Sequence, residues 1–375
     1  MGAKVDQGEG CWMVKGASPL KGARKPIDCG ESGATLRFMI PVAALADEPS
    51  SFLLGPSLEQ RPVEPLLQSL KHLGVETVSD EVGGRSFIKV QGGGIAGGKT
   101  IIPGDISSQF ISGLMFACPL ARDDTEIALT TPLESEVYIH MTREVLSNHG
   151  VEVAFSESPE QIHIPSGQTY TPCNHIITGD FSSAAFLLAA AAITLSDVVV
   201  KNLDYSNVQG DKAIVEILRK MGVHGKVCRN EISIEGSGGN LNAIDFDSMH
   251  TPDLVPVCAA LACYANGTSK IRGVHRLRLK ESDRLLSLHL ELGKMGADIS
   301  VDEHSLLVKG PCKLHGEKID PHNDHRIAMA CAVAALGAEG ETVIYDAECV
   351  KKSYPGFFND LSSLGVDVIG RKFDR

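Results

Sequence analysis

Aromatic residues make up only 5% of the 375 residues, with a single tryptophan, and no two cysteines are spaced as Cys-x-x-Cys or as zinc ligands. That sets aside zinc modules and disulfide scaffolds, and the ten cysteines are expected to be free thiols of a reducing cytoplasm. No secretory leader is read at the start of the chain. Long apolar runs are missing too: Ala184–Leu195 is too short and too Ala-rich to span a bilayer and reads as a buried helix. Positive charge is scarce, with 35 Lys and Arg against 47 Asp and Glu and a net charge of −12. A general nucleic-acid surface is therefore not expected, although a local basic pocket remains compatible with the balance.

Glycine, by contrast, is plentiful at 38, and hydrophobic residues at 43% suffice for large cores, so the length suggests two domains. Gly2, Gly74, Gly150, Gly222, Gly296 and Gly365 recur at intervals of 69 to 76 residues, in settings such as Leu73-Gly74-Val75 and Met295-Gly296-Ala297. Where sequence precedes them, each follows a helical pattern, such as Pro65–His72, as expected of a glycine closing a helix. A hairpin pattern such as Ser86-Phe87-Ile88-Lys89-Val90 comes next. Six units emerge, each mixing strands with two helices.

About 44 residues before each later glycine lies a second signature: Cys29–Gly33, Gly104–Ser108, Gly179–Ser183, His250–Asp253 and His322–Arg326. Two of these repeat Gly-Asp-x-Ser-Ser. Ser, Asp and Asn cap the open N–H groups of a first helical turn, and Pro252 suits a position that needs no donor. Helix N-termini gathered in this way would form an anion site. The matching helix start ahead of Gly2 falls before Met1, so the first unit is expected to retain only its tail.

Gly93–Thr100 matches the nucleotide-binding pattern GxxxxGK[ST]. That chemistry needs a helix directly after the Lys. Ile101-Ile102-Pro103-Gly104 instead reads as a strand and a break, so nucleotide binding is rejected. In Leu279–Arg284, Lys280 and Arg284 are spaced to share one helical face with Glu281 beside them. Taken singly, this stretch, Asn323–Arg326, Asp253, Ser107-Ser108-Gln109, Ser135, Arg61 and Lys352 each have an ordinary reading as caps or solvated charge.

Taken in series, SSQF at 107–110, LKESDRL at 279–285, NDHRIAM at 323–329 and the late Lys352 resemble the 5-enolpyruvylshikimate-3-phosphate synthase family. The resemblance runs from Asp28 to Pro355. It implies an α/β, two-domain enolpyruvyl transferase fold of six βαβαββ-type units, the first one truncated. The domains would be 1–174 and 175–375, with a hinge near Tyr170–His175 whose closure brings the two sets of site residues together. UDP-N-acetylglucosamine enolpyruvyl transferase shares this fold, but the SSQ and KExDR stretches argue against it.

The implied reaction is carboxyvinyl transfer from phosphoenolpyruvate to the 5-hydroxyl of shikimate 3-phosphate, with loss of phosphate, in the shikimate pathway to aromatic amino acids. By motif, Asp253 is the base and Glu281 the acid, with His325 as a third catalytic position. Gly33, Arg61, Gln109, Arg284, Arg326 and Lys352 match phosphoenolpyruvate-binding positions. Ser107, Ser108, Gln109, Ser135, Asp253 and Lys280 match those for shikimate 3-phosphate. The small-molecule substrates are the only partners implied, with no cofactor, no metal, no nucleic acid and no membrane, and a cytoplasmic monomer is expected. The family's early Pro-Gly-Ser-Lys-Ser stretch has no counterpart in these residues, so weak turnover, or a remnant that only binds phosphorylated ligands, is the alternative expectation. Glu31, which stands where many members have Asn, would add negative charge beside the anion site.

Overall fold

Each recurring glycine adopts a left-handed backbone that costs a side chain dearly: φ is +100° at Gly2, +82° at Gly74, +75° at Gly150, +90° at Gly222 and +99° at both Gly296 and Gly365. At the last five, the residue after the glycine donates its N–H to the carbonyl five residues back, as in Val75 to Leu70 at 3.0 Å and Ala297 to Leu292 at 3.0 Å. The same C-terminal closure thus ends five helices: Glu64–His72, Glu136–Asn148, Ala213–Lys220, Arg284–Lys294 and Phe357–Ser363. The computed structural model describes residues 1–156, 161–236, 239–302 and 304–370.

The fold is α/β and divides into two units, Met1–His175 and Ile176–Arg375, each with its own core. Three sheets share one plan. In the first, Ile27–Asp28 pairs in parallel with Ser50–Leu53, which pairs antiparallel with Arg85–Val90, itself paired with Thr77–Val82. Gly98–Ile102, Thr125–Leu129, Gln161–Ile164 and Ala154–Phe155 repeat this order, as do Asp245–Asp247, Gly267–Arg272, Ser305–Gly310 and Asp298–Val301.

The other repeats are partial among the described residues. Near Met1 only the hairpin Lys4–Gly8/Cys11–Lys15 is formed, exposed along its whole length. The sixth has only the parallel pair Lys318–Ile319/Val343–Ile344. The fourth has Val198–Lys201, Glu231–Glu235 and His224–Cys228 but no opening strand. Ile176 and Ile177, where the repeat would put that strand, are 91% and 82% exposed. Tyr170 and Thr171, by contrast, are pinned to the first unit by Tyr170 Oη donating to Phe116 O at 2.8 Å and Thr171 N–H donating to His149 O at 2.8 Å.

The helix that joins the two parallel strands, or stands in that place, is apolar on most sides and lies in the core. These are Gly33–Ala44 and Ser108–Ala117 in the first unit, and Phe181–Thr194, Val255–Ala262 and His325–Ala335 in the second. Ala184–Leu195 accordingly sits within a buried helix and its end. Gly98–Ile102, following the nucleotide-like glycines, is a strand, and Lys99 pairs with Glu126 at 2.8 Å instead of facing a helix N-terminus.

The repeated Gly-Asp-x-Ser-Ser is used in two ways. Asp180 accepts from the N–H groups of Ser182 (3.2 Å) and Ser183 (2.9 Å) and caps its helix. Asp105 instead accepts from Thr131 Oγ1 at 2.7 Å, and Ser107 takes the cap position without a capping side-chain bond. Replacing Asp180 by Ala should therefore lower stability by about 1 kcal/mol. Urea unfolding of the variant and the parent checks this, and an unchanged midpoint would remove the cap from the argument.

Candidate active site

In the first unit the site residues gather around an arginine that motif reading passed over. Arg37 lies four residues after Gly33 on the Gly33–Ala44 helix and is 5% exposed. Its Nη1 donates to Ser107 Oγ at 3.2 Å and Gln109 Oε1 at 3.1 Å, and its Nη2 donates to Pro62 O at 3.2 Å. The guanidinium also lies 5.1 Å from the centre of the Phe110 ring. The SSQF stretch is thus held by one buried cation. Gly113 makes this possible, since a Cβ there would come within 2.4 Å of Arg37 O. The signal was present as a lone Arg in an otherwise apolar helix.

Gly33 is the first residue of that helix, after the cap Ser32, whose Oγ accepts from Thr35 N–H at 3.1 Å. A Cβ on Gly33 would lie 3.0 Å from Arg61 Nη2, so the guanidinium rests against the bare backbone. Glu31 stands two residues before Gly33. Its Oε2 accepts from Leu58 N–H at 2.9 Å, serving the short Pro56–Glu59 helix that has no capping side chain of its own. Ser108 and Ser135 are buried at helix starts, Ser135 with φ of +54°. Glu134 N–H, donating to Gly104 O at 3.0 Å, ties the Ser135 turn to the loop before Ser107.

In the second unit Asp253, Lys280, Glu281, Arg284, His325 and Arg326 converge. Arg284 is the hub, with only 1% of its side chain exposed. Nη1 donates to Asp253 Oδ1 at 2.8 Å, Nη2 to Glu281 Oε2 at 2.7 Å and Nε to Asp324 Oδ2 at 2.8 Å. The guanidinium is thus shared by three protein carboxylates. The shared helical face of Lys280 and Arg284 is corrected. Asp283 caps Leu286 N–H, so the helix begins at Arg284, while Lys280 ends the preceding 3-10 turn. The two cations meet through Asp253 instead, with Lys280 Nζ 3.9 Å from its Oδ1.

Asp324 has no exposed side chain, and the sequence marks it only as part of a helix start. It caps His325–Ala335 by accepting from Arg326 N–H at 2.9 Å. Arg326 Nη2 donates to Asp253 Oδ2 at 3.0 Å, and Lys352 Nζ donates to Asn323 O, at the same helix start. Asp253 and Lys280 keep 23% and 24% of their side chains exposed, which makes them the accessible groups of the cluster.

Burial pushes the Asp253 carboxyl up, but Arg326, Lys280 and Arg284 outweigh it and hold it well below the usual carboxylate range. Burial lowers Lys280 to about 8, against the pull of Asp253. His325 is lowered to about 4, by burial first and then by Arg326, so its ring is neutral at pH 7. Asp211, buried and accepting from Ser182 Oγ at 2.5 Å, is raised to about 6 by burial and by Asp253. Among the described residues no group of three or more His, Cys, Asp or Glu has metal-holding geometry.

Arg284→Met should destabilise the chain by about 3–5 kcal/mol, since three carboxylates lose their shared counter-charge. An unchanged urea midpoint would contradict the hub. His325 supplies a pH test. The unfolded chain takes up its proton near the ordinary value of 6.5 and the folded chain only near 4, so this share of stability is complete above 6.5 and lost as pH falls to about 4. Asp211 acts in the opposite sense, its share being lost as pH rises through about 6. The difference between parent and His325→Gln therefore carries the test: the parent should lose stability more steeply from pH 6.5 to 4, and equal slopes would show an ordinary histidine.

Against known proteins, residues 1–361 match the family described as EPSP synthase (3-phosphoshikimate 1-carboxyvinyltransferase). The 3-phosphoshikimate 1-carboxyvinyltransferase of Methanococcus maripaludis strain C6 is 39% identical over 370 residues, covering 98% of this chain and 86% of its own length. That of Methanocaldococcus jannaschii is 40% identical over 366 residues, covering 97% and 84%. Among solved structures, EPSP synthase from Acinetobacter baumannii superposes with a TM-score of 0.78 at 26% identity, covering 97% of this chain and 84% of its own. The enolpyruvyl transferase NikO from Streptomyces tendae, at 18% identity, TM-score 0.69 and coverage of 88% and 76%, shares the fold. With two relatives near 40% identity along nearly the whole chain and a family match that ends only at residue 361, this protein belongs to the EPSP synthase family.

Proposed function

We propose that this chain transfers the carboxyvinyl group of phosphoenolpyruvate to the 5-hydroxyl of shikimate 3-phosphate and releases inorganic phosphate. One observation carries the reading beyond family membership: Asp253, an accessible carboxylate, is aimed by two guanidinium groups and set beside Lys280. A carboxylate so held is ionised and oriented, as a group taking a hydroxyl proton must be.

The hydroxyl oxygen attacks C2 of phosphoenolpyruvate while its proton passes to Asp253 and C3 receives a proton from Glu281. Glu281 then takes a proton back from C3 as the C2–O bond to phosphate breaks, which gives the enol ether, and the proton held by Asp253 leaves with the phosphate. The surrounding cations make resting Asp253 a weak base. Substrate phosphate and carboxylate groups drawn to Arg326 and Lys280 offset that charge and strengthen it.

Gly33, Arg61, Gln109, Arg284, Arg326 and Lys352 are assigned to phosphoenolpyruvate. Ser107, Ser108, Gln109, Ser135, Asp253 and Lys280 are assigned to shikimate 3-phosphate. Arg61 against the bare backbone of Gly33 sets a guanidinium beside the first turn of that helix, the combination an anionic group requires. Arg284 also positions Asp253 and Glu281, and neutral His325 hydrogen-bonds the departing phosphate. The assignment includes a cytoplasmic monomer that acts on small molecules without a cofactor. The ten unbridged thiols and the net charge of −12 are compatible with it.

Phosphate release should require both substrates, and Asp253→Asn should slow it by about 10²–10⁴-fold. Release from phosphoenolpyruvate at the same rate without shikimate 3-phosphate would overturn the assignment. So would an Asp253→Asn variant as fast as the parent.

A further inference from the structure

Two of the ten thiols sit together away from the carboxylate cluster. Cys263 follows the last turn of Val255–Ala262 and is fully buried, while Cys312, just beyond the Ser305–Gly310 strand, is partly open to solvent. Their backbones meet directly, Cys312 N–H donating to Cys263 O at 2.7 Å. Gly310 closes the approach, because a Cβ there would lie 2.7 Å from Ala262 O and 3.0 Å from Cys263 O. Each thiol donates to a backbone carbonyl of its own segment, Cys312 Sγ to Lys309 O at 3.2 Å and Cys263 Sγ to Ala259 O at 3.3 Å. Cys312 Sγ also receives the Asp298 N–H at 3.5 Å.

We infer that Cys263 and Cys312 form an oxidisable dithiol, in which Cys312 reacts first with the oxidant and Cys263 resolves it to an intramolecular disulfide. The contact with Cys263 pulls the Cys312 thiol down to about 6, outweighing partial burial, with help from Asp298 N–H. Cys263 is correspondingly held protonated. Thiolate character together with access is what selects a reactive cysteine. Cys118, Cys258 and Cys331, by contrast, are buried and raised by burial, so they stay inert.

The chemistry balances with a small-molecule disulfide as oxidant. The Cys312 thiolate attacks one sulfur of the external disulfide, expelling a thiolate that takes up a proton and leaving a mixed disulfide. Cys263 then gives up its proton, attacks the Cys312 sulfur and expels the second external thiol. Two protein thiols are oxidised and one external disulfide is reduced to two thiols. The resulting bridge would fasten the end of the helix that follows Asp253 to a hairpin exit of the same unit. It closes a loop containing Lys280, Glu281 and Arg284.

The test is to incubate the full chain with oxidised glutathione, block remaining thiols with an alkylating reagent and map peptides by non-reducing mass spectrometry. A Cys263–Cys312 linked peptide that dithiothreitol dissolves is the expected result. Cys263→Ala should trap glutathione on Cys312, and Cys312→Ser should abolish the link while leaving Cys263 unmodified. In the parent, a Cys312 that stays alkylatable, keeps its glutathione or pairs with another cysteine would overturn the proposal. The partly exposed Cys312→Ser variant keeps the test decisive if Cys263→Ala fails to fold, since a linked Cys263 in it would equally overturn the proposal.

Discussion

The second unit depends on a single desolvated guanidinium. Taking Arg284 out of water is costly, and only the convergence of Asp253, Glu281 and Asp324 upon it makes the burial tolerable. Those partners are not arbitrary places in the chain. Arg284 begins one helix, Asp324 caps another, and Asp253 lies in the 3-10 turn that leads into a third. One side chain therefore fixes where three helices start. Each of those ends is electropositive, so gathering them demands negative charge from the protein until a ligand supplies it. Asp253 provides it at the accessible edge and Asp324 where no solvent reaches.

The first unit also gathers its site residues on one guanidinium. Arg37 donates to the Ser107 hydroxyl, the Gln109 side-chain oxygen and the Pro62 carbonyl. It orients neutral groups suited to hydrogen-bonding a phosphate or hydroxyl, whereas Arg284 organises groups able to exchange protons. The division follows from chemistry: acid and base must titrate, while binding hydroxyls need only point correctly.

Features that depend on local backbone chemistry were legible in the sequence. The repeated glycines read as helix ends because positive φ is a property of a single residue, and the caps at Ser32, Asp180 and Asp324 read as helix starts for a similar reason. Where the outcome turned on distant partners, spacing misled. Two copies of Gly-Asp-x-Ser-Ser diverge because Thr131 claims one aspartate. Lys280 and Arg284 look like helix neighbours, yet capping by Asp283 separates them and tertiary packing reunites them at Asp253. Arg37 carries no motif, and only its isolation in an apolar helix distinguished it. The missing opening strand of the fourth repeat left no trace in Ile176-Ile177, whose residues suit a strand that the structure does not pair.

The hairpin near Met1 bears on how this protein can be watched. Its Trp12 is the only indole in the chain and is 66% exposed. Native emission will already resemble that of a solvated ring, and both cores can dissolve with little spectral change. Tyr170, whose hydroxyl donates to Phe116 O, and Tyr264, whose hydroxyl donates to Ala334 O, sit where melting is felt. Near-ultraviolet absorbance sums these two phenols with the other four tyrosines, so its change on melting reports the cores where the exposed indole does not.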